Sequence, residues 1–238
     1  MSTVFTFKKF KVEQQGASFK IGTDALVLGS FIYSSNAKTA LDIGAGTGVI
    51  SLMVAQNHPN TFIDAIEIDN HNCSLARLNF SESNFSDRLS VVENDFLNYT
   101  FSKKFDLIFS NPPYFVDSLE NNDLREANSR HLSRNHLKNF VEKIVESISA
   151  KGLVYLIFPA INFQMWLDVF LDNQLFLVER IDVLGKPNQI IRTIAVFSTE
   201  NSASKRSELT IRNLNGTYTD EYIQLTKDFH SVNLSSKE

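Results

Sequence analysis

The residues Ser110-Asn111-Pro112-Pro113-Tyr114 carry the most specific chemistry in this chain. Two consecutive prolines present backbone carbonyls on a stiff main chain that has no N–H donors of its own. The Asn111 side-chain oxygen is a second acceptor beside the Pro112 carbonyl. Two acceptors in that arrangement suit a flat NH2 on a conjugated system, each taking one N–H. Such a nitrogen is a weak nucleophile because its lone pair is delocalised. Acceptors that align it and stabilise the positive charge developing on it lower the barrier without a strong general base. Tyr114 can stack on the ring that bears the amine, a contact worth roughly 1–3 kcal/mol in single-strand nucleic-acid binders. Asn111, Pro112 and Tyr114 are the expected catalytic residues. The plain alternative is a proline turn whose tyrosine only packs.

A second cluster, Leu41-Asp42-Ile43-Gly44-Ala45-Gly46-Thr47-Gly48, has the composition of a ligand turn. Glycine lets a backbone turn sharply and approach a ligand closely. A dinucleotide fingerprint would need glycine where Val49 stands, and a phosphate loop would need a lysine followed by serine or threonine. The ligand expected here has no pyrophosphate. Glu67 follows about 19 residues beyond Gly48, where a carboxylate can accept both hydroxyls of a ribose. Asp95, in Asn94-Asp95-Phe96, comes later still. A structural glycine turn and two solvated loop carboxylates are the competing explanations.

These groups need strand ends to hold them. Ala40 to Ile43 reads as a buried strand running into the glycine turn, and Val49 to Gln56 as a helix stopped by His58-Pro59. Phe62 to Glu67 is a second strand, and Asn70 to Ser83 a helix with Leu75, Leu78 and Asn79 on one face. Leu89 to Val92 and Phe105 to Phe109 are short apolar strands of the parallel type. The tetrapeptide follows the latter, so all candidate groups fall at carboxyl ends of strands, where open α/β sheets bind ligands. Asp117 to Ser133 reads as irregular. Phe140, Ile144, Val145 and Ile148 mark a helix closed by Lys151-Gly152. Leu153 to Phe158 is a fifth strand and Phe163 to Asp172 a helix. Leu175 to Val183 and Ile190 to Phe197 form a hairpin, Asn201 to Ser207 a polar loop, and Leu209 to Phe229 a short strand and a helix. One domain is expected, with a basic arm over 1–36, a core over 37–200 and a tail over 201–238.

Composition narrows the class. The chain has 238 residues, 43% of them hydrophobic, with 23 Lys+Arg against 27 Asp+Glu. That supports a packed core and argues against disorder. No apolar run reaches the roughly 18 residues of a membrane span, and Met1 to Val12 lacks the core of a signal peptide. A lone Cys73 fits a reducing cytoplasm. The five histidines give no metal-ligand spacing, and His131, His136 and His230 read as surface or capping residues. Net charge is −4, but positive charge is clustered. Lys8, Lys9 and Lys11 lie in the arm, and Arg125, Arg130 and Arg134 follow the tetrapeptide. Such patches can steer a polyanion such as RNA; solvated surface charge, or arm lysines that discourage edge-to-edge pairing, explains them equally well.

The acidic residue followed by Gly-x-Gly-x-Gly resembles motif I of S-adenosylmethionine-dependent methyltransferases. With Asn-Pro-Pro-Tyr, the set resembles the class I aminomethyltransferases. That resemblance implies a Rossmann-like α/β fold: a mostly parallel seven-stranded sheet, helices on both faces, and one antiparallel strand. It implies S-adenosyl-L-methionine as methyl donor, S-adenosyl-L-homocysteine as product, and no metal. Asp42, Gly44, Gly46, Gly48 and Glu67 would bind the cofactor, with Asp95 accepting from the adenine amino group and Phe96 against its ring.

The flanks are more discriminating. Phe5-Thr6-Phe7-Lys8-Lys9-Phe10, Lys20-Ile21-Gly22-Thr23-Asp24 through Gly29, and Gly216-Thr217-Tyr218-Thr219-Asp220-Glu221-Tyr222 resemble the bacterial tRNA1(Val) adenine-37 N6-methyltransferase family. Arg130-His131 also resembles that family's Arg-His pair. The resemblance implies methyl transfer to N6 of adenine 37 in the anticodon loop of one tRNA, by a cytoplasmic enzyme read as a monomer. It places Thr23 and Asp24 near the methionine end of the cofactor; N-capping of a helix by Asp24 is the alternative. A protein glutamine methyltransferase shares the tetrapeptide, but usually carries a helical domain where this chain has about 40 strand-like, basic residues before Gly44. Guanine N2 methylation of ribosomal RNA and a non-catalytic RNA-binding module are two further rival readings.

Overall fold

In the computed structural model the described residues are 3–18, 20–33, 36–112, 123–232 and 234, with 123–133 described by backbone alone. In chain order the elements are β1 (Val4–Thr6), β2 (Lys11–Glu13), α1 (Thr23–Phe31), β3 (Thr39–Ile43), α2 (Val49–Asn57), β4 (Phe62–Glu67) and α3 (Asn70–Ser81). Then follow β5 (Leu89–Glu93), β6 (Phe105–Ser110), α4 (Asp123–Ser147), β7 (Ile148–Pro159), α5 (Phe163–Asp172), β8 (Phe176–Lys186), β9 (Gln189–Ser198), β10 (Lys205–Thr210) and α6 (Asp220–Thr226).

Among the described residues the main sheet runs β10-β8-β9-β7-β6-β3-β4-β5. Only β9 is antiparallel to its neighbours, β7 and β8. The seven expected strands are present, and β10 adds an eighth beside β8. β1 and β2 pair with each other in a separate hairpin. Most residues of β3, β4 and β6 are buried on both faces, which is why their sequences are apolar-rich without strict alternation. One face packs on α1, α2, the end of α3 and α6, through Leu28, Leu52, Met53, Phe80 and Tyr222. The other packs on α4 and α5, where Phe140, Phe158, Trp166 and Phe170 form an aromatic cluster; the Phe158 and Trp166 rings stack 4.9 Å apart.

Four expectations are corrected. The segment read as irregular up to Ser133 is helical from Asp123, the start of the 25-residue α4. Its first half is polar in sequence and lacks the apolar stripe that would announce a helix, and the side chains described as buried against the sheet begin at Leu137. That helix ends at Ser147, before Lys151-Gly152, and Ile148 already pairs with Phe105 as a strand. Lys151, at φ 66°, lies inside the irregular stretch where β7 leaves and rejoins register with β6. The loop expected to Ser207 is strand from Lys205; its charged side chains are exposed because β10 is an edge. On α3 the buried face includes Leu75, Ala76, Asn79 and Phe80, whereas Leu78 is turned outward.

Candidate active site

Register places the candidate groups in a row. Ile43 is the Cα partner of Ser110 on β6 and of Ile66 on β4, and Glu67 is the partner of Glu93 on β5. The next residue on β6, β3 and β4 therefore shares one level, Asn111, Gly44 and Glu67, with Glu93 beside Glu67 and the Asn94-Asp95 corner just beyond it. At about 4.8 Å per strand, the row from β6 to β5 spans roughly 14 Å. The Ser110 hydroxyl donates to the Ile43 carbonyl at 2.7 Å and ties the two central strand ends together. Sequence reasoning passed over Ser110, though it sits in the motif. Asn111 is half-buried and Pro112 buried. Pro113 and Tyr114 lie outside the described residues, as do the side chains of Arg125, Arg130 and His131.

The turn itself is built for close approach. Gly44, Gly46 and Gly48 all have positive φ, at 69°, 55° and 79°. A Cβ on Gly44 or Gly46 would meet nothing within 4 Å, so the backbone there is an open cradle. At Gly48 the demand is internal, because a Cβ would stand 2.4 Å from the Phe80 ring. The Glu67 carboxylate closes the cradle. Its Oε2 accepts the Gly46 N–H at 2.8 Å, and its Oε1 accepts the Ile68 and Asp69 N–H groups, each at 2.9 Å. A carboxylate has about four acceptor positions, so one remains on Oε2. Ile68, next to it, is 69% exposed, a large apolar side chain held at the ligand end and a candidate cofactor contact that the motif reading missed.

Asp42 lies beneath the turn with 1% of its surface exposed. Its Oδ2 accepts the Ser51 hydroxyl at 2.7 Å, while the buried Oδ1 has no hydrogen-bond partner. Burial pushes its carboxyl up to about 7, against hydrogen bonds from Ser51 and with a further upward push from Glu67. Asp95 is half-buried; Oδ1 accepts the Leu97 N–H at 3.0 Å and Oδ2 the Asn98 amide at 2.6 Å. Phe96 is 7% exposed and meets Phe140 edge to face at 5.5 Å, so most of its ring belongs to the core. Open cradle, adjacent carboxylate, exposed isoleucine and an orphaned acceptor below fit a donor made of adenosine and an amino-acid end.

The arm completes the wall. Asn79, 1% exposed, donates through Nδ2 to the carbonyls of Thr47 (2.9 Å) and Glu13 (3.0 Å), and its Oδ1 accepts the Glu13 N–H at 2.7 Å. One amide thus joins β2, α3 and the glycine turn. Asn79→Ala should cost about 2–4 kcal/mol in urea unfolding, since it orphans several buried backbone groups. A loss under about 0.5 kcal/mol, the size of an ordinary surface change, would show that the staple carries nothing. Cys73 is buried and donates to the Glu67 carbonyl at 3.3 Å; burial pushes its thiol to about 11, which makes it a packing residue.

Thr23 and Asp24 open α1, whose N-cap is Gly22 with no side-chain cap bond. The capping alternative for Asp24 is therefore overturned: its carboxylate lies inside the first turn and accepts from Arg192 Nε of β9 at 2.8 Å. Arg134 is exposed on α4. The arm lysines are exposed, but Lys8 is placed away from the turn. Its backbone N–H donates to Phe229 and its ammonium to the Lys227 carbonyl, beside Asp228, which meets the Gln56 end of α2. His230 is half-buried, and its Nε2 has no partner. Among the described residues no cluster of His, Cys, Asp and Glu is placed to hold a metal.

Residues 16–139 match the family described as methyltransferase small domain. The chain is 36% identical over 228 residues to the tRNA1(Val) (adenine(37)-N6)-methyltransferase of Flavobacteriaceae bacterium (strain 3519-10), covering 95% of this chain and 97% of the relative. It is 35% identical over 230 residues to the protein of that name from Pedobacter heparinus, covering 96% and 98%. In fold it is similar to the crystal structure of a predicted O-methyltransferase from Agrobacterium tumefaciens, with a TM-score of 0.70 and 17% identity over 87% of this chain and 96% of that one.

Proposed function

Because the chain belongs to the methyltransferase small domain family, and within it to the tRNA1(Val) (adenine(37)-N6)-methyltransferases, we propose that it methylates N6 of adenine in tRNA. The position proposed is adenine 37 of tRNA1(Val), in the anticodon loop, and the enzyme works in the cytoplasm as a monomer. The supporting observation is the common level of Asn111 and Gly44, which sets an amine-holding acceptor one strand away from the cofactor cradle. Among the described residues no helix is long and apolar enough to cross a membrane.

When bound, S-adenosylmethionine supplies an electrophilic methyl group. Gly44 and Gly46 would lie against it, Glu67 would accept from its ribose, Ile68 would cover its adenine, and Thr23 and Asp24 would stand at its methionine end. Asp42 would stay beneath the cradle and support it; Asp95 and Phe96 would border the adenine. The remaining work belongs to the tetrapeptide. The substrate adenine leaves its stack, at a cost of a few kcal/mol that is smallest in an already open loop. The Asn111 side-chain oxygen and the Pro112 carbonyl accept its two N6 hydrogens and Tyr114 stacks on its face. As nitrogen becomes positive these acceptors hold it more strongly, which is where the barrier falls. The proton leaves after transfer from a cationic nitrogen, an acid strong enough to lose it to water.

The test is direct. The protein is incubated with labelled S-adenosylmethionine and total tRNA, and the digested RNA is resolved by mass spectrometry. Label should appear in N6-methyladenosine next to the anticodon of one valine tRNA. Label in N2-methylguanosine or in a peptide glutamine would overturn the reading, and RNA binding without label would leave a non-catalytic module.

A further inference from the structure

One row of Cα partners crosses the sheet from the tetrapeptide to its edge: Ser110 with Leu156, Leu156 with Ala195, Ala195 with Arg180, and Arg180 with Arg206. Arg180 is thus three strands from the residue before Asn111, roughly 14 Å, and Arg206 is one strand further. Both guanidiniums are held by Asp182, whose surface is 0% exposed. Its Oδ1 accepts Arg180 Nε at 2.8 Å and the Thr193 hydroxyl at 3.2 Å; its Oδ2 accepts Arg206 Nε at 2.9 Å and Nη2 at 2.7 Å. Arg180 also lies 3.9 Å over the Phe163 ring.

A buried carboxylate of this kind is an expensive way to join β8 to β10, since well-packed apolar residues would do it at least as well. What the arrangement accomplishes is to fix two guanidiniums in place with one net positive charge. Arg180 Nη1 and Nη2 and Arg206 Nη1 carry no hydrogen bond among the described residues, and the Arg206 side chain is 60% exposed. Between this pair and Asn111 stands the turn after β7. There Ile161 is 92% exposed, the most exposed of the large apolar side chains described. Exposed apolar wedges that fill gaps in a base stack, beside guanidiniums that take phosphates, are a recurring nucleic-acid contact.

We propose that the β7–α5 turn and the β8–β10 edge form a docking shelf for the RNA strand next to the methylated nucleotide. Ile161 packs on a base that has lost its neighbour, and Arg180 with Arg206 takes a backbone phosphate. This rests on the proposed function, because the shelf faces a nucleic acid only if the amine held by Asn111 belongs to one. Glu208, exposed two residues beyond Arg206 on β10, opposes the phosphate and supplies a test of opposite sign.

The full-length protein is assayed with unmodified tRNA1(Val) transcript over a salt series, reading KM for RNA, kcat and S-adenosylmethionine affinity. Arg206→Gln should raise KM for RNA about tenfold and lower the slope of log affinity against log salt by about one. Glu208→Gln should tighten RNA binding about two- to threefold by removing the like-charge repulsion of one exposed group. Ile161→Asp should weaken binding about tenfold, and at so exposed a position it should not affect folding, so it carries the test even if Arg206→Gln folds poorly. In all three, kcat and cofactor affinity should stay within about twofold of wild type. Wild-type RNA KM and salt slope in both Arg206→Gln and Ile161→Asp, with methylation intact, would overturn the shelf and leave the enzyme assignment standing. A wild-type protein that methylates no RNA would overturn both.

Discussion

Asn111→Ala should lower turnover by about 10²–10³, equivalent to ~3–4 kcal/mol, by analogy with the loss of one oxyanion-hole donor. The sign of the charge is reversed here but the physics is shared. A neutral N6 amine gains little from one more acceptor, whereas a nitrogen becoming cationic gains a charge-assisted bond. The loss should therefore appear in kcat, with cofactor Kd unchanged, because the Asn111 side chain is one strand removed from the cradle made by Gly44, Gly46 and Glu67. Single-turnover kinetics under saturating RNA and cofactor measure it. Near-wild-type turnover would remove Asn111 from the mechanism. A matching loss of cofactor affinity would mean that the substitution had disturbed the turn through Ser110, whose hydroxyl holds the Ile43 carbonyl.

The second large effect concerns Asp42 and pH. Its carboxyl is pushed up to about 7 by burial, from an ordinary 3.8. Between those values the folded chain holds a proton that the unfolded chain has released, so stability falls as pH rises. The contribution is whole below about 4 and gone above about 7, a swing of about 4 kcal/mol at 1.36 kcal/mol per unit. The side-chain amide of the Asp42→Asn variant does not titrate in this range. Urea unfolding at pH 5 and pH 8 should show wild type losing about 2–3 kcal/mol more than the variant between the two. Parallel losses would show that the carboxylate is satisfied when charged, for instance through its Oδ1, which has no hydrogen-bond partner in the structure.

Local signals reached much of the framework around the candidate site. Phe62–Glu67 and Phe163–Asp172 have the bounds read from the sequence. The first is an apolar-rich run that starts just after the His58-Pro59 stop and ends on a carboxylate, and the second is an amphipathic stretch that follows Pro159. The glycine turn is legible because its backbone takes positive φ, which Gly adopts most readily, and the tetrapeptide because paired prolines are distinctive in sequence. Harder to read are groups whose role depends on a partner far along the chain. In sequence Asn79 is one more residue on a helix face, and its value lies in bonds to Glu13 and Thr47, 66 and 32 residues away. Asp24 has the position of a helix cap, yet its carboxylate is taken by Arg192, 168 residues on. The first half of α4 escapes because its polar sequence carries no apolar stripe from which a helical period could be read.

Residue types and spacing alone determined that Asn111-Pro112 and a glycine turn sit at carboxyl ends of parallel strands, since apolar runs, turn glycines and prolines are local constraints that the chain obeys before it folds. Tertiary structure decided which strands are neighbours, and so which side chains meet. Strand order put β6 beside β3, buried Asp42 under the turn, and carried Asp182 with its two arginines to the far edge of the row. Those outcomes depend on long-range pairing and desolvation, which no window of sequence encodes.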